Sequence, residues 1–382
     1  MSEGWPQLPL REICDVLDKL RKPITKRDRI AGDYPYYGAT GILDYVEDYI
    51  FDELLILIGE DGAKWGAGEN TAFAANGKYW VNNHAHVIRP HRDLVDDRWI
   101  IHYLNHANLS PFITGLTVPK LNQGKLNSIP IPLPPLAEQK RIVSIFVEAF
   151  AAIAKAKENA EQNLANAKEL FESYLNKVFT EKGEGWEEKT LGELSDVVSG
   201  QHINTKDYNT DGKGIGYLTG PSDFGRTQPT VSKWTEYPKR TAISGDVLIT
   251  VKGSGVGKVN IANAQETCIS RQLMAIRSKI LHTHFLFAFL QTRFEYFQTL
   301  ATGAAIPGIS REDVLGLKVA YPVDDQEQER VVKSLTEAKS SFANLHSTYQ
   351  QKITDLDELK QSILQKAFTG QLTSKSPELE SI

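Results

Sequence analysis

The sequence predicts an α+β chain: two similar mixed, β-rich units separated by two long helices that pair antiparallel, with a pseudo-two-fold relation. Three observations predict this. The chain repeats itself once. Each copy ends in a long segment free of Pro and Gly that carries one apolar stripe. Each copy begins with short apolar runs bounded by turn residues.

The repeat comes first, because a long period changes the whole reading. Residues 136–180 align without gaps to residues 325–369, and 15 of the 45 positions are identical. They include Glu138/Glu327, Gln139/Gln328, Arg141/Arg330, Leu170/Leu359, Leu175/Leu364 and Phe179/Phe368. Upstream, "GWPQLPLREICDVL" from Gly4 resembles "GWEEKTLGELSDVV" from Gly185. "DELLILIGEDGA" from Asp52 resembles "GDVLITVKGSGV" from Gly245, and "TGLTVPKLN" from Thr114 resembles "TGAAIPGIS" from Thr302. The order is globular unit, helix, globular unit, helix. The expected boundaries are 1–135, 136–182, 183–322 and 323–382, the last including a C-terminal tail.

The helical segments contain no helix breaker. In the first, Ile142, Phe146, Ala149, Ile153, Ala156, Ala160, Ala167, Leu170 and Tyr174 form an a/d stripe. In the second the stripe is Val331, Leu335, Ala338, Phe342, Leu345, Tyr349, Leu356, Leu359 and Ile363, interrupted at Lys352. A single stripe must be buried against a partner. The other helix is nearest, and the intervening unit lets the chain return antiparallel. The first helix follows Pro130, Pro132, Pro134 and Pro135, which stop the strand, and Glu138 falls in the positively polarised first turn. The second joint, "VAYPVDDQEQ", lacks the polyproline run and is expected to be less rigid.

The globular units read as short strands and one short helix each. "LLILIG" and "HVIRP" are strand-like, and "DDRWIIHYLNHA" is a short helix. "DVLITV", "LMAIRS" and "THFLFAFLQT" match them in order.

Composition narrows the function. The chain has 382 residues, 41% hydrophobic, with a formal charge of −5. That charge argues against a general polyanion binder. It leaves room for a protein that reads bases over a small footprint while partners supply phosphate contacts. No apolar run reaches the ~20 residues of a membrane span. The N-terminus is too polar for a signal peptide. Two cysteines, Cys14 and Cys268, make neither a disulfide framework nor a zinc site and suit a reducing cytoplasm.

No catalytic motif is present. "KGSGVGKV" from Lys252 has Lys at the first Gly position of a phosphate loop and Val259 where Ser or Thr would hold magnesium. His84, His86, His91, His102 and His106 have no metal-ligand spacing with cysteine. The expectation is a non-enzyme with no resident cofactor or metal.

Nucleic-acid contacts have better candidates. The densely basic "KLRKPITKRDR" from Lys19 precedes the aromatic, Gly-rich "YPYYGATG" from Tyr34. Arg21, Lys22, Lys26 and Arg27 are expected on phosphates. The expected reading loops are 36–41, 60–64, 82–86 and 117–120, with 252–255, 270–272 and 304–307 in the second copy. Tyr36, Tyr37, Thr40, Glu60, Asp61, Lys64, Asn83, His84 and Lys120 are the first-copy candidates. Lys206, Arg226, Lys252, Ser254, Arg271 and Gln272 are those of the second. Carboxylates accept from cytosine, whereas Lys and Arg donate to guanine. Homologous loops of opposite charge would read different bases.

Four stretches carry a family resemblance: "TGLTVPKLNQGKLNSIPIPLPPLAEQKRI", its degenerate copy ending "DDQEQERV", "RKPITKRDRIAGDYPYYGATGI" and "KAFTGQL". Over nearly its whole length the chain resembles the specificity (S) subunit of type I restriction-modification systems. The resemblance implies two target-recognition domains, each reading half of a split site in double-stranded DNA, on an antiparallel coiled-coil spacer. It implies docking of two methyltransferase subunits and, through them, restriction subunits. S-adenosylmethionine, ATP and Mg would sit on those partners. The half-sites would lie about one helical turn apart, ~34 Å. The rival is a non-reading scaffold or inhibitor of a methyltransferase. It would need carboxylates in rows, and here acidic and basic residues alternate.

Overall fold

The computed structural model describes residues 5–225, 228–301 and 307–373. The chain divides into two compact units: Met1–Glu161 with Gln350–Ile382, and Gln162–Tyr349. Each unit therefore takes part of both long helices, Leu136–Thr180 and Asp325–Phe368, instead of preceding a whole one. Among the described residues no helix is long and apolar enough to cross a membrane.

In the first unit one four-stranded antiparallel sheet runs in the order Cys14–Val16, Ala85–Pro90, Leu55–Gly59, Ala72–Ala75. The second runs Gly41–Val46, Ala31–Gly38, Lys78–Val81, Phe51–Asp52, with a parallel pair at its centre. The strand Leu55–Gly59 is buried along its whole length. Period-two alternation explains its unbroken apolar run. Ile56 and Ile58 face a core with Trp99 of the short helix Asp97–His106 and with Ile142, Phe146 and Phe368 of the long helices. Leu55 and Leu57 face a second core with Phe51, Tyr79 and Val87.

The second unit repeats this order. Its sheets run Ser195–Ser199, Leu273–Ser278, Val247–Thr250, Val259–Ile261, and Trp234–Thr235, Ile215–Leu218, Glu266–Ile269, Thr241–Ile243. The parallel pair recurs between Ile215–Leu218 and Glu266–Ile269. Val247 and Ile249 join a core with Phe285 and Phe289 of the short helix Thr283–Gln291 and with Phe179, while Leu248 turns to the other core.

The joints are built alike. Pro130–Pro132 pairs with Gln7–Pro9, and Lys318–Pro322 pairs with Trp186–Thr190. The joint without the polyproline run pairs five residues of each strand, against three in the other. Proline has no N–H, so fewer prolines leave more ladder donors.

Within each unit the helix segments run antiparallel. In the first, Phe146 meets Phe368 at 6.0 Å between ring centroids, and Lys157 Nζ lies 2.7 Å from Asp357 Oδ2. In the second, Phe171 stacks on Phe342 at 5.1 Å. The stripe departs from the expected one by a single position in places. Leu170 is 72% exposed, Leu345 46% and Leu359 48%. Leu164, Phe171 and Ile353 are part-buried instead, so Ile353 fills the turn at Lys352. A 3.6-residue helix drifts from a strict seven-residue pattern, and the seam moves to the neighbouring residue.

Candidate nucleic-acid interface

In the first unit, the loops after Leu55–Gly59 and before Ala85–Pro90 meet the segment around Lys120. Glu60 N donates to His84 O at 2.8 Å, and Leu121 N donates to Glu60 O at 2.8 Å. Asp61 forms an isolated β-bridge with Lys120. Three of the expected loops, 60–64, 82–86 and 117–120, thus converge on one edge.

A buried ionic network lies beneath that edge. Arg21 Nη1 donates to Glu60 Oε2 at 2.5 Å and to Ala85 O at 2.7 Å, and Nη2 lies 3.2 Å from Asp18 Oδ2. Lys120 Nζ is 2.9 Å from Glu60 Oε1 and 3.7 Å from Asp61 Oδ2. The Glu60 carboxylate raises the Lys120 amine above its ordinary range. His86, fully buried, sits between Asp18 Oδ2 at Nδ1 and Leu121 O at Nε2, both at 2.6 Å. The ring thus bridges a carboxylate on one side and a backbone carbonyl on the other. The carboxylates of Asp18 and Glu60, with His86, have the donor types of a metal site. Arg21 and Lys120 already neutralise them, so the set does not call for an ion.

This geometry corrects part of the sequence reading. Arg21 is 12% exposed at its side chain and points inward, so it is a structural cation and not a phosphate clamp. Glu60 is buried at 7%. Tyr36 is buried, its hydroxyl accepting from Ile24 N at 2.9 Å, with the Arg29 guanidinium 4.4 Å over its ring. A hydroxyl-bearing ring in a Gly-rich strand reads as a contact residue, but here it fills the core. Tyr37 is part-buried against Phe73 and Tyr79, and burial raises its phenol. The exposed candidates are Lys22, Lys26, Arg27, Thr40, Lys64, Asn83 and His84, with Asp61 at the margin. His84 Nδ1 pairs with Asp61 Oδ1, and Arg27 pairs with Asp28. Asp18 was not a sequence candidate, yet it holds Arg21, His86 and the Val87 amide. Nothing in "CDVLDKL" marked it.

The second unit presents the same framework with other side chains. Val251 N donates to Gln272 O at 2.8 Å, and Ile309 N donates to Val251 O at 3.0 Å. Lys252 bridges Gly308. Gln272 N donates to Ser270 Oγ at 3.1 Å, as His84 N donates to Asn82 Oδ1 at 2.8 Å. These bonds fix the equivalences. Val251 stands for Glu60, Lys252 for Asp61, Arg271 for Asn83, Gln272 for His84 and Met274 for His86. Set side by side from Asp52 and Gly245, the two sequence stretches place Gly59 opposite Lys252. The true offset differs by two residues, which leaves every strand residue on the same face and so escapes hydropathy. Lys252, Ser254, Arg271 and Gln272 are exposed together at this edge, and Lys206 is exposed in the one-turn helix Thr205–Asp207. Arg226 and most of the 304–307 loop lie outside the described residues. The resemblance of residues 252–259 to a phosphate loop ends here, because they join strand Val247–Thr250 to strand Val259–Ile261 with no helix.

Comparison with known proteins agrees with this duplicated framework. Residues 2–162 and 183–355 each match the type I restriction modification DNA specificity domain. A Haemophilus influenzae protein provisionally named type I restriction enzyme specificity subunit S.HindORF215P is 41% identical over 146 residues, 38% of this chain and 37% of that one. A Methanocaldococcus jannaschii protein provisionally named type I restriction enzyme MjaX specificity subunit is 25% identical, covering 98% of this chain and 95% of its own. A solved chain, from a study of complex assembly and conformational transition of the type I R-M system, shares the fold. Its TM-score is 0.77 at 24% identity, over 97% of this chain and 98% of that one. With both copies matched and the fold shared end to end, the chain belongs to the type I restriction-modification specificity subunits, a non-catalytic family of DNA sequence-recognition chains.

Proposed function

We propose that each unit reads one half of a bipartite, asymmetric site in duplex DNA. One observation carries this: a common loop framework holds Asp61, Asn83 and His84 in one unit and Lys252, Arg271 and Gln272 at the equivalent places in the other. Equal frames with unequal donors and acceptors suit unequal half-sites. Lys22, Lys26 and Arg27 serve as phosphate contacts near the first half.

The long helices act as spacer and as docking surface for two methyltransferase subunits, with restriction subunits joining through them. Support comes from Leu170 and Leu359, one of the repeat's identical pairs. Each is exposed within its own unit. A large apolar residue kept in both copies at a solvent-facing position suits one docking place per unit. S-adenosylmethionine, ATP and Mg belong to the partners, and the complex works in the cytoplasm.

The test is purification of this chain with its methyltransferase, followed by genome-wide mapping of modified bases. A split, asymmetric motif that vanishes on deletion of this chain is expected. A complex that modifies no motif contradicts the reading. Inserting seven residues into the first helix should lengthen the gap without changing the bases read.

A further inference from the structure

One feature at the first unit's reading edge has no role in hydrogen-bond readout. Between Thr114 and Lys120 the chain makes a closed turn, tied by Thr114 N to Lys120 O at 2.9 Å and Lys120 N to Thr114 O at 2.8 Å. Asn122 Nδ2 donates to Thr114 Oγ1 at 3.1 Å from below. Gly115 has φ +91°, and a Cβ there would fall 2.3 Å from Val118 O, so the turn is tight and needs glycine. At its tip Leu116 is 106% exposed and Val118 65%. Leu116 thus projects clear of its neighbours, and among the described residues no other side chain covers it.

We infer that Leu116 is a wedge that enters the base stack of the half-site read by the first unit. The inference rests on the reading of that unit as a DNA reader, and it adds a contact of a different kind. A rigid turn holds an apolar side chain away from the protein, and its base is the Lys120 that bridges Asp61. In the ion pairs of this edge the cation is the more exposed member: Lys64 at 81% against Glu69 at 42%, and Lys120 at 40% against Glu60 at 9% and Asp61 at 18%. That balance suits a polyanion. On duplex DNA a lone leucine gains most by leaving water between two bases, where unstacking can be offset by closer contact of the flanking polar loops.

The experiment uses the complex of this chain with its methyltransferase subunits, on duplexes carrying the mapped site with 2-aminopurine at successive steps. Wild type should raise fluorescence at one step of one half-site. Leu116→Ala should abolish that rise and weaken binding about tenfold or more. Leu116→Met, still long and apolar, should retain both. If wild type binds the mapped site and no step responds, the wedge is wrong and the reading of the unit stands. If wild type shows no preference for the mapped site over a scrambled duplex, that reading fails and the wedge with it. Loss of the methyltransferase from Leu116→Ala would make the tip a protein contact and overturn the inference.

Discussion

Gln139 and Gln328 make the same three hydrogen bonds. Gln139 Oε1 accepts from Asp96 N at 2.9 Å, and its Nε2 donates to Leu94 O at 3.0 Å and Pro134 O at 2.8 Å. Gln328 Oε1 accepts from His282 N at 2.8 Å, and its Nε2 donates to Ile280 O at 3.2 Å and Pro322 O at 3.1 Å. Each glutamine is buried in the first turn or two of its long helix. Each ties that helix to the residue before a short helix and to the chain just ahead of its own first turn. A strand running straight into a helix, with no flexible linker, is fixed in angle by this latch.

Gln139→Ala should therefore destabilise the first unit by about 2–4 kcal/mol, since three backbone groups lose their partners in a buried place. Gln328→Ala should do the same in the second. Urea denaturation with a probe in each unit checks this. A change below about 0.5 kcal/mol in either unit would show that water replaces the latch.

Glu60→Ala should cost more than an ordinary surface change. It strips Arg21 of its shortest partner and leaves a guanidinium that is 12% exposed with Asp18 as its remaining carboxylate. Breaking a buried pair by removing one member costs about 3–5 kcal/mol. Val251→Ala, at the equivalent position of the second unit, touches no charge and should cost only its packing. Thermal unfolding of the two variants side by side distinguishes them.

His102 gives the first unit a pH dependence. The ring lies 5.0 Å from Phe146 and 5.7 Å from Phe150. Burial, with Lys360 and Arg98 adding to it, lowers its pKa from 6.5 to about 4. Between those values the unfolded chain binds the proton and the folded chain does not. Stability is therefore full above about pH 6.5 and is lost as pH falls towards 4, by at most about 3 kcal/mol. His102→Phe should flatten that slope in a pH series of denaturation midpoints, provided the other titrations are unchanged.

Leu170→Asp should remove one methyltransferase subunit from the complex and Leu359→Asp the other. Both positions are exposed at 72% and 48%, so neither change should unfold its unit. The mass of the purified assembly reads the stoichiometry directly. Two partners retained in the double variant would place docking elsewhere.

Much of this was legible in the sequence, for physical reasons. Long uninterrupted helices and a 15-identity repeat survive any uncertainty about strands. The doubled apolar runs predicted buried strands because period two fills both faces. The site was less legible. "KLRKPITKRDR" has the composition of a solvated face, and only the fold shows that Arg21 turns inward to Glu60 while Lys22, Lys26 and Arg27 stay out. The identity of Gln139 and Gln328 was visible, but its meaning lay in carbonyls more than 40 residues away. Leu116 stood inside a quoted motif, and exposure alone makes it noteworthy.

The central claim is that the two units read DNA separately through equivalent positions. The direct measurement is a base-modification map from cells carrying Lys252→Asp, Arg271→Asn and Gln272→His together, which gives the second unit the first unit's groups at those places. The account predicts that one half of the split motif changes or is lost while the other half and the gap persist. A motif altered in both halves, or unchanged in both, would contradict it.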